Sequence, residues 1–194
     1  MIAIEDTVLV LLAAGRSQRW GDVGSKLDAD FLGRPLGLHV AVALEDLPFA
    51  RRIAVTGRAA LDYAAHGYRL VTNGDPQASM ASSVRLGVEA AAGAAAVLIA
   101  LADMPRVTAA HIHRLFDAAT DADTVVASSD GAEPKPPALF GAGRFDFLRA
   151  LSGDTGARAL VAAGRHVVTS PNELIDVDTP DELERLREMV RVRR

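Results

Sequence analysis

Val8 to Leu12 is an unbroken aliphatic run, and together with the loop behind it this run constrains the fold more than any other feature of the chain. A run of that kind suits a strand buried on both faces. It leads directly into a Gly/Arg/Ser segment, Ala13 to Lys26. Thereafter strand-like and helix-like stretches alternate. The pattern predicts a helix over Leu36–Leu47, a strand over Ile53–Thr56, a helix over Ala59–Ala65 stopped by Gly67, and a strand over Tyr68–Thr72. It continues with a helix over Ala81–Ala92, a strand over Val97–Ala100, a helix capped by Thr108 and running to about Ala119, and a strand over Thr124–Ser128. Ser129–Pro137 reads as a polar, Pro-rich loop, with a new element starting at Leu139-Phe140. Helices near Phe145–Leu151 and Gly156–Ala163, short strands at Val167-Val168 and Leu174–Val177, and a closing helix over Pro180–Val190 complete the reading.

Such alternation means βαβ crossovers. The expected fold is a three-layer α/β/α domain with a mostly parallel, Rossmann-like sheet, spanning residues 1–194 as one unit. In these sheets ligands bind beyond the carboxyl ends of the strands. Chemistry is therefore expected in the loops after the first, third and fourth strands.

Composition removes whole classes of function. The 194 residues contain no Cys, which excludes disulfides, thiolate catalysis and Cys-bound zinc. A formal net charge of −4 offers no broad field for nucleic-acid backbones. No apolar stretch is long enough to span a bilayer, and Glu5 and Asp6 replace a basic leader region, so a cytoplasmic protein is expected. Of 21 basic residues only Lys26 and Lys135 are lysines, which points to a need for a compact ammonium at each, with chance as the competing account. His111 and His113 are two apart on a helix and share no face for zinc.

The loop Leu12-Ala13-Ala14-Gly15-Arg16-Ser17-Gln18-Arg19-Trp20-Gly21 is read as a phosphate cradle. Small residues at Ala13, Ala14 and Gly15 let the backbone approach a ligand, and their N–H groups can surround an anion. Arg16 and Ser17 extend the loop, and Arg19 and Lys26 add fixed positive charge suited to a triphosphate. The spacing fits neither the dinucleotide fingerprint, which needs a middle Gly, nor the Walker A loop, which needs Gly before Lys and Ser or Thr after it. An ordinary Gly-rich βα turn with solvated arginines is the competing account.

With Gly33-x-Pro35-Leu36 beyond it, this loop resembles the signature of MobA-like NTP transferases of the molybdenum-cofactor type. Within them it is most similar to the molybdenum cofactor cytidylyltransferase branch, since the guanylyl branch typically shows Ala-Gly-Gly where Ala13-Ala14-Gly15 stands. The resemblance places the triphosphate on Ala14, Gly15, Arg19 and Lys26. The chain departs from the family in having four residues rather than two between Gly21 and Lys26.

Asn73 to Ser83 resembles the family's base-recognition segment, with Ser79 in place of Gly and Val84 in place of Leu. Hydroxyls and free N–H groups at a helix start can bond a base edge, which nominates Asn73, Ser82 and Ser83; plain helix capping explains the serines equally. Leu101-Ala102-Asp103-Met104-Pro105 puts a carboxylate at the mouth of the sheet, where a hard oxygen ligand can hold Mg²⁺. The family pattern matches there without departure and implies Asp103 as metal ligand. Asp176-Val177-Asp178 offers two more acids, on one side of a strand if the segment is extended. The resemblance points to Asp178 as second ligand, with Asp176 in reserve.

The resemblance also implies an acceptor site. Gly153-Asp154-Thr155-Gly156-Ala157-Arg158 matches the cytidylyl branch and nominates Asp154 and Arg158. Lys135-Pro136-Pro137-Ala138-Leu139-Phe140 covers the acceptor loop and nominates Lys135 and Pro137, with Lys135 where Gly is usual.

The expected reaction is a Mg²⁺-dependent nucleotidyl transfer, CTP favoured, to the phosphate of molybdopterin, with Arg19, Lys26 and Asp103 as the catalytic set. A molybdoenzyme or chaperone belongs to the same expectation as a transient partner. Guanylyl transfer to the same acceptor, cytidylyl transfer to a sugar or polyol phosphate, and a non-catalytic molybdopterin carrier remain as alternatives.

Overall fold

The computed structural model describes residues 1–15, 20, 24–57, 61–153 and 157–191. Among these, seven strands form one sheet: β1 (Thr7–Ala13), β4 (Arg51–Thr56), β5 (Tyr68–Thr72), β6 (Ala96–Leu101), β7 (Val125–Ser129), β8 (Pro134–Gly141) and β9 (Arg165–Val168). A small hairpin, β2 (Asp30–Phe31) with β3 (Arg34–Pro35), stands apart from it. The sheet order is β5-β4-β1-β6-β8-β7-β9. All neighbours run parallel except β8, which is antiparallel to both β6 and β7. This is the Rossmann-like α/β class.

β1 is the central strand, and every one of its residues is buried, as its aliphatic sequence requires. Alternate residues serve opposite faces. Leu9 and Leu11 pack with Val40, Ala41 and Leu44 in and just beyond α1 (His39–Ala43), and with Ile112 and Leu115 of α3 (Ala109–Asp117). Val8 and Val10 pack with Val84 and Val88 of α2 (Met80–Ala90) and Leu148 of α4 (Phe145–Arg149). Contact between α2 and β1 is close enough to require glycine. A Cβ on Gly87 would come within 2.3 Å of Val10 Cγ1.

A third apolar cluster joins α6 (Pro180–Arg191) to the hairpin region through Trp20, Phe31, Leu36, Val177, Leu183 and Leu186. α5 (Arg158–Ala163) packs on β7 and β8.

Four expectations are corrected. The helix expected over Leu36–Leu47 is a 3₁₀ turn, Leu36–Leu38, leading into the five-residue α1. Gly37 and the β-branched Val40 and Val42 give that stretch weak helical propensity, and tertiary packing shortens it. The helix expected over Ala59–Ala65 begins partly outside the described residues, and within them only a 3₁₀ turn, Ala64–His66, is formed. Gly67 stops it in the left-handed region, φ +77°.

The segment expected as the Ser129–Pro137 loop is largely strand, since β8 already begins at Pro134. Its prolines are tolerated because β6 pairs only with 138–141, which leaves residues 134–137 outside that ladder. On the β7 side Ala127 pairs with Ala138 and Ser128 with Lys135, so Pro136 and Pro137 form a two-residue bulge. Their shared peptide bond is cis. Finally, Leu174–Val177 is not a strand: its two ends are pinned instead, with Leu174 in the main core and Val177 under α6.

Candidate active site

The chain runs from β1 outward to β4 and β5, then returns to the other side of β1 as β6. The carboxyl ends of β1 and β6 therefore flank the topological switch point, where an open α/β sheet leaves a crevice. Ala13 and Ala14 are buried at that end, and Gly15 is exposed with open space where a Cβ would stand. The ladder continues one step past the strands, with the Ala102 amide donating to the Leu12 carbonyl at 3.1 Å. Asp103 thus stands beside the first loop. Arg16, Ser17 and Arg19 lie outside the described residues, as does Asp154.

Lys26 opens a 3₁₀ turn, Lys26–Asp28, whose start is capped by Ser25 Oγ accepting from the Leu27 amide at 3.3 Å. Leu27 is buried in the main core, so the turn is fixed and Lys26 is buried with it. Its ammonium donates to Asp103 Oδ2 and to Asp178 Oδ1, each at 2.7 Å. Asp178 is brought there by the preceding residue, because the Val177 amide donates to the Asp103 carbonyl at 3.0 Å. Glu182 then accepts from the Asp178 and Thr179 amides at 2.7 and 2.9 Å, closing the start of α6. Three residues separated by 77 and 152 positions along the chain thereby meet at one point.

Among the described residues, carboxylates outnumber the ammonium at this point. Burial opposes the charge on Lys26, yet Asp103 and Asp178 together hold its pKa above the ordinary lysine value. Burial raises Asp103 above the usual carboxylate range; Lys26 offsets part of this, while Asp176 and Asp178 add to it. Asp103 Oδ1 is buried and has no hydrogen-bond partner among the described residues. A converging pair of hard oxygen donors and a buried carboxylate oxygen with no hydrogen-bond partner among the described residues fit a divalent cation shared with phosphate oxygens. Among the described residues no group of three or more His, Cys, Asp or Glu could hold a metal without such help.

At the end of β5, Asn73 is buried with Ser82 and Ser83. Its side-chain amide donates to both hydroxyls at 2.9 Å, and its carbonyl oxygen accepts from the Asp75 amide at 3.0 Å. Ser79 caps α2, accepting from the Ser82 amide at 3.1 Å, and Ser82 Oγ donates to the Ser79 carbonyl at 2.9 Å. Capping and the Asn73 cluster therefore coexist, and the three residues form one rigid unit.

Lys135 approaches from β8. It is paired with Asp130 at 3.0 Å, and that bond, with the fields of Asp176 and Glu133, outweighs its partial burial and raises its pKa. Asp176 thus faces both Lys135 and Asp103 electrostatically. Pro137 is buried in the bulge beside Lys135. Arg158 lies exposed at the first residue of α5.

Sequence reasoning passes over His111. It is fully buried and bonded to Ser128. The signal is its place on the buried face of α3 with Ile112, Leu115 and Phe116.

A crevice at a switch point, with a Gly-rich turn, an ammonium and two acids converging on it, is the architecture of a nucleotidyltransferase. Residues 9–168 match the MobA-like NTP transferase domain, and the chain belongs to that family. It is 31% identical to purine catabolism protein PucB of Bacillus subtilis, over 92% of this chain and 94% of that protein. The manganese complex of Rv0371c from Mycobacterium tuberculosis is 27% identical, covering 94% of this chain and 98% of that one, with a TM-score of 0.73. A nucleotidyl transferase from Methanothermobacter thermautotroptrophicus shares the fold at 23% identity and a TM-score of 0.77, covering 97% of this chain and 99% of that one. Among the described residues no helix is long and apolar enough to cross a membrane.

Proposed function

We propose that this nucleotidyltransferase moves CMP from CTP to the phosphate of molybdopterin and releases pyrophosphate. The observation that supports it most directly is the convergence of Lys26, Asp103 and Asp178 at 2.7 Å contacts beside the open end of β1. An acceptor phosphate oxygen attacks the α-phosphorus in line; one P–O bond forms and the bond to pyrophosphate breaks. A phosphate monoester is already anionic at neutral pH, so the step needs no general base. Positioning and charge neutralisation supply the catalysis.

Ala14 and Gly15 give the triphosphate backbone N–H groups at close range. Lys26, with Arg19 from the same loop, neutralises the departing pyrophosphate. Asp103 and Asp178 would hold Mg²⁺, which would supply positive charge to offset that of the phosphates. Manganese in the Rv0371c complex supports a divalent cation at such a domain. The rigid Asn73–Ser82–Ser83 unit shapes the base end. Lys135 and Pro137 from β8, with Asp154 and Arg158 before and in α5, receive the acceptor. Preference for CTP and for molybdopterin rests on Ala13-Ala14-Gly15 and on the Gly153–Arg158 segment. The four residues between Gly21 and Lys26 favour a second reading, cytidylyl transfer to a sugar or polyol phosphate.

The test is a pyrophosphate-release screen of the four NTPs, with and without Mg²⁺, against molybdopterin, methylerythritol phosphate and several sugar phosphates. CTP with molybdopterin should give the highest turnover, and Asp103→Ala should abolish it while the melting transition persists. Full activity in folded Asp103→Ala protein overturns the metal assignment. A molybdopterin complex that forms without any pyrophosphate release points to a carrier.

A further inference from the structure

The proline bulge of β8 has no ladder partner for Pro136 or Pro137 on β7, and the pairing of β8 with β6 stops at Ala138, short of both. Something else must hold it. The Ser128 hydroxyl donates to the Pro137 carbonyl at 2.7 Å. Having given its one proton there, Ser128 Oγ receives the Nε2–H of His111, also at 2.7 Å. The remaining ring nitrogen, Nδ1, therefore accepts, and Arg114 donates to it at 3.0 Å. Arg114 is itself anchored by donating to Thr169 Oγ1 at 2.8 Å. Thr169 and Thr108 both donate to the Glu173 carboxylate. Every proton in the chain Arg114–His111–Ser128–Pro137 has one assignment, and His111 and Ser128 are fully buried.

Such a run of bonds is costly unless complete, because each buried member left unpaired is penalised. A plain packing role needs no polar atoms here, since α3 already buries Ile112 and Leu115 against the sheet. What the bonds add is a fixed position for the Pro137 carbonyl, two residues from Lys135, whose charge is paired with Asp130 and lies in the field of Asp176.

We propose that His111 and Ser128 form a buried strut that fixes the Pro136–Pro137 bulge and so sets Lys135 for the acceptor. Both are positioning residues: neither touches the reacting atoms. The kinetic half of this inference rests on the acceptor reading above, whereas the structural half does not.

The chain provides its own reporter, because Lys135 and Lys26 are its only two lysines. Amine acylation followed by mass spectrometry reads Lys135 directly, with the buried Lys26 as internal reference. Ser128→Ala and His111→Leu should raise Lys135 acylation several-fold and leave Lys26 unchanged. In the pyrophosphate assay they should raise the acceptor KM about tenfold with the NTP KM unmoved, as expected for a misplaced binding group. His111→Gln, whose amide can still donate to Ser128, should restore both readouts toward wild type. Unchanged Lys135 acylation in folded Ser128→Ala protein overturns the strut. Faster acylation with an unmoved acceptor KM overturns the positioning role. A wild-type enzyme that uses none of the acceptors refutes the acceptor reading alone, and the acylation data still decide the strut.

Discussion

Removing Lys26 tests the site as an electrostatic unit. In Lys26→Met the methionine fills much the same volume, but Asp103 Oδ2 and Asp178 Oδ1 lose the cation that each meets at 2.7 Å. Breaking a fully buried ion pair costs about 3–5 kcal/mol. This one is not fully buried: the Asp178 side chain is 35% exposed and that of Asp103 20%. Solvent screening brings the expected loss to about 2 kcal/mol. For a chain of this size that lowers Tm by about 4–8 °C. A divalent cation should reverse the loss, because the acids are then open to it. Binding at a hundred times Kd returns about 2.7 kcal/mol. The assay is thermal melting of wild type and Lys26→Met across a Mn²⁺ titration. The variant should melt lower without metal and gain more Tm on adding it. A wild-type Tm in metal-free Lys26→Met, with no larger response to Mn²⁺, would refute the reasoning that one ammonium balances two carboxylates there.

Packing and protonation give two further expectations. Gly87→Ala places a methyl 2.3 Å from Val10 Cγ1, so α2 must shift off β1, at a cost of about 1–3 kcal/mol readable by urea denaturation. An unchanged midpoint would mean the helix moves freely on the sheet. His111 is held neutral: burial lowers its pKa most, Glu173 opposes that and Arg114 adds to it. Below about pH 6.5 the unfolded chain takes up a proton that the folded one refuses, so this histidine's contribution is complete above that pH and is lost as pH falls further. The difference in unfolding free energy between wild type and His111→Gln should therefore shrink from pH 7.5 to pH 5; a constant difference would show that His111 takes up its proton as readily in the fold as in the unfolded chain.

The sheet is legible in the sequence because β1 and β6 are buried on both faces, and burial of that kind leaves an aliphatic run. Tyr68–Thr72 is legible to the residue, since Gly67 and Asn73-Gly74 bracket it. The Asp103 turn is legible for a similar reason, an acid directly after a buried strand. What escapes is set by partners distant in sequence. β8 looks like a loop because Pro-rich composition argues against a ladder, and only the bulge opposite β7 and the end of β6 pairing at Ala138 make room for the prolines. Leu174–Val177 looks like a strand because its apolar residues are anchors, one in the core and one under α6. The direct contact of Lys26 with both acids lies beyond local reading, as no local pattern encodes a meeting across 152 positions. His111 escapes because its spacing from His113 raises only the question of zinc, whereas its role is that of a buried donor.

The docking of Val177 onto Asp103 bears on when the site becomes competent. Asp178 follows the last strand of the sheet in sequence, so all seven strands can pair before the second acid is in place. The proposed nucleotide chemistry therefore depends on α6 closing over the hairpin, a step that pairing of the sheet does not by itself complete.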